Sequence, residues 1–215
     1  MNTIWFAISI SIFFICFAAQ FAKILVNKSS DGYSYNFINL YICGNILNLI
    51  NIIITGLDLN ITYFTIYVII LTLLTSIAVI YYKKSFTKSE IIFTLMIYNF
   101  IIAILLFTVY NTDKYINKLI SDITVWIASV AFAASKVSQI IEIIKVKNIE
   151  NISYIALGMF LIQDSSFLIS ILTDINDNIL EYLPWIVGLS VSITLDVITL
   201  IVTFHYQYKS KTSMC

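Results

Sequence analysis

Seven apolar runs of membrane-crossing length follow one another down this 215-residue chain, joined by short polar segments. They fall at 4–26, 33–55, 61–82, 91–109, 123–144, 153–172 and 183–206. A helix needs roughly 20 mostly apolar residues to cross a bilayer's hydrocarbon core, and each run is about that long. Backbone amides in hydrocarbon must pair within their own segment or in a closed barrel. The expected fold class is therefore an all-α polytopic membrane protein with seven transmembrane helices. Composition agrees, because 60% hydrophobic residues against 11% charged is more apolar surface than a 24.5 kDa globule can hide.

Several function classes drop out at this point. The formal charge is zero and no basic tract interleaves with aromatics, so nucleic-acid binding has no support. Cys16, Cys43 and Cys215 give neither a disulfide framework nor metal-ligand spacing and read as small hydrophobes. The sequence shows no Ser-His-Asp grouping, metal cluster or Gly-rich phosphate loop, so no enzymatic activity and no cofactor are expected. The first run lacks a positively charged start and reads as a retained helix, not a cleaved signal.

Two windows repeat each other. Gln20, Lys28 and Ser34 stand at one fixed offset, 119 residues, from Gln139, Lys147 and Ser153, and both windows sit where an apolar run ends in a polar loop. A gapless offset of this kind indicates duplication. Each unit is then three helices, with the fourth helix returning the chain to its starting side: residues 1–82, a linker at 83–120, residues 121–208 and a tail at 209–215. Parallel repeats of this 3+1+3 type are a transporter architecture with the solute site at the repeat interface.

Loop charge sets the expected orientation, because lysines are retained on the cytoplasmic side. Lys28, Lys83, Lys84, Lys88, Lys145, Lys147, Lys209 and Lys211 share one side, against Lys114, Lys118, Asp174, Asp177 and Glu181 on the other. The N-terminus is expected to face the lumen or exterior and the C-terminus the cytosol. Sequons at Asn27 and Asn151 are then cytoplasmic, and the one at Asn60 hugs the membrane. Trp5, Trp126 and Trp185 fall at the opposite helix ends as an aromatic belt.

The repeated motif, Gln, then Lys eight residues on, then Ser, resembles the PQ-loop repeat family, which includes SWEET sugar carriers and cystinosin-like transporters. Lys28-Ser29, Gly32-Tyr33-Ser34, Phe37 and Gly44 are similar to the cystinosin-like pattern, as are Lys136 ahead of Gln139 and Asp196-Val197 in the last helix. Ala19 and Ser138 stand where the family carries its motif prolines. Phe160 stands where cystinosin-like chains carry a sixth-helix acid, and Asp164, one turn on, is the available substitute. The resemblance implies hinge or gate roles for Gln20, Lys28, Gly32, Ser34, Gln139, Lys147 and Ser153. It also implies proton-linked export of a cystine-like amino acid from an endolysosomal or other internal membrane. Two alternatives remain open: a SWEET-like sugar uniporter, and a non-transporting endoplasmic-reticulum factor for dolichol-linked sugar use.

The residues themselves single out an intramembrane acid. Asp196 lies mid-helix on a polar stripe with Ser192, Thr199 and Thr203, the spacing of a cavity-lining face. Its protonation is the expected coupling event, with a purely helix-joining carboxylate as the alternative. Lys136 needs a partner in hydrocarbon, either Asp164 or Asp196, or else the carboxylate of a bound solute. Asn45 and Asn48 share one face and offer donors and acceptors to a polar solute, or hydrogen bonds between helices. His205 reads as an interfacial residue. The expected partners are a small polar solute, protons and the lipid bilayer.

Overall fold

The computed structural model of the chain describes residues 3–56, 59–83, 87–110, 113–147, 152–173 and 179–212. Lys84, Asn151, Asp174, Asp177 and Cys215 lie outside the described residues, as do the side chains of Asn60, Lys114, Glu181, Lys209 and Lys211. Seven helices carry the described chain: α1 (Thr3–Asn27), α2 (Tyr35–Thr55), α3 (Leu59–Tyr82), α4 (Lys88–Tyr110), α5 (Lys114–Val146), α6 (Tyr154–Leu172) and α7 (Ile179–Thr212). Six of them, all but α4, are long and apolar enough over their described residues to cross a membrane. The chain is thus an all-helical, multi-pass membrane protein by length and composition.

Local chemistry fixes the helix ends. Ser34 and Ser153 cap α2 and α6, each hydroxyl accepting the third N–H of its helix at 3.2 Å. Lys28 and Lys147 adopt left-handed backbone with φ of 49° and 54°, the only such non-glycine residues among the described ones. Lys147 thereby ends α5 with its N–H on the Ile143 carbonyl at 2.9 Å. α5 starts at Lys114, well ahead of the expected 123, because Asp113 accepts from the Tyr115 N–H at 2.8 Å and nucleates an extra polar stretch. α7 likewise overruns both ends of the expected 183–206 and carries Pro184 inside it.

Adjacent helices pair as α1 with α3 and α6, α2 with α3, α4 and α5, and α7 with α5 and α6. Exchanging α1, α2 and α3 for α5, α6 and α7 maps this set onto itself except for the α2–α4 contact. The broadest packing runs between α2 and α5 and between α1 and α6. Gly44 allows the first of these, since a Cβ there would stand 2.8 Å from Cε1 of Phe132. At the centre, Phe13, Phe17, Phe37, Tyr41, Phe132 and Phe160 interlock with ring centroids 4.9 to 6.3 Å apart. These contacts favour edge and offset arrangements over face-to-face stacking.

Candidate functional site

The two repeated glutamines reach across the molecule to each other's loop. Gln20 on α1 accepts the Ser153 backbone N–H at 2.9 Å through its Oε1. Gln139 on α5 does the same for the Ser34 N–H at 2.9 Å, and its Nε2 donates to the Gly32 carbonyl at 2.8 Å. Each glutamine thus satisfies a backbone donor at the start of the helix its own segment does not contain. Both glutamines are buried, so loss of either partner strands a polar group, a cost of about 1–3 kcal/mol. The Ser34 hydroxyl adds a 3.3 Å bond to the Ser138 hydroxyl across the same seam.

Further into the bundle from these links lies a three-charge cluster. Lys136 Nζ donates to Oδ2 of Asp164 at 2.7 Å and to Oδ2 of Asp196 at 2.5 Å. Ser192 donates to the same Asp164 oxygen at 2.6 Å, and the Lys136 ammonium lies 5.9 Å from the Phe160 ring centre. All three charged side chains are buried, at 5%, 9% and 7% exposure, so one ammonium joins α5, α6 and α7. With both acids ionised the cluster holds one more negative charge than positive. A buried charge is tolerated only when paired or hydrogen-bonded, so one carboxylate's worth of charge needs a proton or another cation.

The polar stripe of α7 faces this cluster as its spacing predicts: Ser192, Asp196, Thr199 and Thr203 are all buried. The buried stripe of α3, Val68, Thr72, Thr75 and Val79, has the same spacing without a charge. The 119-residue offset likewise sets Phe17 against Lys136 and Asn45 against Asp164. The Lys136–Asp164–Asp196 cluster therefore has no charged counterpart at Phe17 or Asn45 in the first three helices.

Between the cluster and the glutamine links is a small cavity of about 20 Å³. Gln20, Tyr33, Phe37, Lys136, Gln139, Ile152, Phe160, Asp196 and Thr199 line it, with Ala156 and Leu157. That volume takes about one water and no larger solute, so the bundle is closed in this conformation. Asp196 faces the cavity and the lysine, not the lipid.

The expected site residues divide accordingly. Lys136, Asp196, Thr199, Gln20 and Gln139 meet at the cavity, with Asp164 and Ser192 one layer behind. Gly32, Ser34 and Ser153 take the glutamine bonds at the loop seam, while Lys28 and Lys147 lie in left-handed backbone just after α1 and α5. Asn45 and Asn48 are buried but away from the cavity wall: the Asn45 amide donates to its own helix at the Tyr41 carbonyl, 2.8 Å away. Asn48 Oδ1 and, on α6, Gln163 Oε1 are buried without a protein partner. The sequence assigns Tyr33 no role beyond its place in the Gly32-Tyr33-Ser34 stretch, and assigns Gln163 none. Tyr33 lies between two motif residues, so adjacency to the motif was the available signal; a lone Gln in an apolar run gave none for Gln163. No protein-family model matches the chain, and no curated protein matches it.

Proposed function

We propose that this chain is a seven-span PQ-loop carrier of 3+1+3 layout that moves a small polar solute by alternating access. Asp196 takes the coupling proton, Asp164 and Lys136 tune it, and the two glutamine links act as the gate on the loop side. The solute class proposed from the resemblance is an amino acid, cystine-like, exported with a proton from the lumen of an internal membrane. The N-terminus then faces the lumen and the C-terminus the cytosol. The helix pairing that survives exchange of the two triples supports the repeat, and the crossed glutamine links support a seam between two moving halves.

The observation that carries the reading is the charge imbalance at Lys136. One ammonium between two carboxylates leaves one negative charge, and a single proton cancels it. A site that is neutral when loaded avoids the several-kcal/mol cost of an unpaired charge at midplane. A structural cluster alone would need no cavity beside the acid, yet Asp196 and Lys136 both line one.

Flux in proteoliposomes with and without a pH gradient tests this, with cystine, other amino acids and sugars as probes. The parent is expected to show gradient-driven flux of an amino acid, and Asp196→Asn to lose the gradient dependence. Sugar counterflow indifferent to Asp196→Asn would shift the reading to a uniporter. Absence of flux with every probe would favour the non-transporting factor.

A further inference from the structure

Asn99 stands at the midpoint of α4, with Lys88 and Tyr110 equally far from it, about 16 Å at 1.5 Å of rise per residue. After Glu90 the helix carries no charged residue, yet the side chain of Asn99 is exposed. Among the described side chains every other Asn or Gln within a helix is buried or half-buried, apart from Asn27 at the last position of α1. Exposed hydroxyls elsewhere, at Ser11, Ser190 and Thr194, are satisfied by the carbonyl of their own helix four residues back. A carboxamide asks for more, with two N–H donors and a carbonyl acceptor. One N–H of Asn99 donates to the Leu95 carbonyl at 2.8 Å, its only hydrogen bond among the described residues. The second N–H and the Oδ1 carbonyl face outward at a depth where no water can take them.

The neighbours of Asn99 on this face form a line. Ile92, Leu95, Asn99, Ile102 and Leu106 follow one another at alternating steps of three and four, the spacing of a coiled-coil contact. Its four apolar members are each more than half exposed. The other face of α4 is already used: Thr94 accepts from the Asn39 amide at 3.1 Å, and Ile97, Ile101 and Ile104 pack with Cys43, Leu47 and Ile50 of α2. The one broad helix contact of α4 is with α2, and it leaves the Asn99 line uncovered.

We propose that this line is a homodimer interface: two copies pair α4 with α4, and each Asn99 carboxamide bonds the other across a two-fold axis at midspan. The group carries its own complement, because the N–H left over in one copy meets the carbonyl left over in the other. Interhelical bonds of this kind hold membrane helices together where lipid offers no partner. Copies inserted the same way into one membrane run parallel, so equal depths meet, and a single polar residue on a coiled-coil line fixes register and partner number. A left-handed crossing of about 20° suits the spacing. None of the residues lining the cavity beside Lys136 and Asp196 is on α4. Pairing therefore leaves each copy's cavity intact, and the inference holds whether or not the chain is a carrier.

Förster transfer between donor- and acceptor-labelled full chains in liposomes, followed as lipid is added, tests the pairing. The parent is expected to lose transfer on dilution along a monomer–dimer curve. Asn99→Leu removes the amide and keeps apolar bulk, and should shift the midpoint toward monomer by at least about tenfold in dissociation constant. Cysteine variants locate the seam: Ile102→Cys should oxidise to a disulfide joining position 102 of the two copies, identified by the mass of the linked peptides. Phe100→Cys, exposed on the same helix but off the line, should stay unlinked. A parent that is monomeric at every dilution overturns the proposal. So does a dimer whose midpoint Asn99→Leu leaves unchanged, or one that links through Phe100→Cys as readily as through Ile102→Cys. Should Asn99→Leu fail to fold, the two cysteine variants decide, and equal linking of both sinks the seam.

Discussion

Lys136 is the residue on which the interior electrostatics turn. Its ammonium is the single cation offsetting Asp164 and Asp196, and three helices meet on it. Removing one partner of a buried ion pair typically costs about 3–5 kcal/mol because the remaining charge is stranded. Lys136→Ala is therefore expected to lower the thermal midpoint sharply, and adding Asp164→Asn should recover part of the loss, since the lone remaining acid can then be neutralised by one proton. Equal melting of Lys136→Ala and the parent would show that the cluster does not hold the helices together. The three residues were legible in the sequence because charges are rare in its apolar runs. That one ammonium serves both acids was not legible, since its partners lie 28 and 60 residues away and only the packing of α7 against both α5 and α6 decides between them.

Helix ends show where element-scale reading succeeds and fails. The Ser34 and Ser153 caps could be read from the motif, because serine before an apolar run is an ordinary helix start. The early start of α5 could not, because its first turns are polar and fall outside any hydropathy window. α4 opens with a reciprocal cap: the Glu90 N–H donates to Thr87 Oγ1 at 3.2 Å and the Thr87 N–H to Glu90 Oε2 at 2.9 Å. Lys83 closes the turn from the end of α3, 2.5 Å from Glu90 Oε1 and 5.4 Å from the Tyr35 ring centre. Partial burial alone would raise the Glu90 acid, but the Lys83 ammonium and the Thr87 donors outweigh it and hold the group below its ordinary range. A depressed carboxylate stabilises the fold above its unfolded value, about 4.3, and the contribution fades as pH falls through the lower folded value. Glu90→Ala should thus cost about 1 kcal/mol at neutral pH, cap and partly exposed pair together, and the two melting curves should converge in acid. A gap that stays constant with pH would mean that the charge contributes nothing.

At the scale of the whole molecule, the residues at the 119-residue offset and the crossed glutamines coincide at one seam. The 119-residue offset is visible in the sequence, but whether each glutamine bonds near its own segment or across to the other depends on how two distant segments dock. They cross, so in the proposed carrier the loop side would open by breaking the Gln20–Ser153 and Gln139–Ser34 links together. The Ser34 and Ser138 hydroxyls, 3.3 Å apart on that seam, mark where a covalent staple would hold it shut; side chains that close suit the short Cβ separation of a disulfide. Cys16, fully buried on α1, reports on opening without any knowledge of the solute, because a buried thiol reacts only when the structure admits reagent. N-ethylmaleimide labelling followed by peptide mass spectrometry should find Cys16 of the parent modified slowly. In oxidised Ser34→Cys/Ser138→Cys the same peptide should react at least about tenfold more slowly, the effect of removing about 1.4 kcal/mol or more of access to the open form. Unchanged Cys16 labelling in protein whose staple is verified by mass would place the moving seam elsewhere in the bundle.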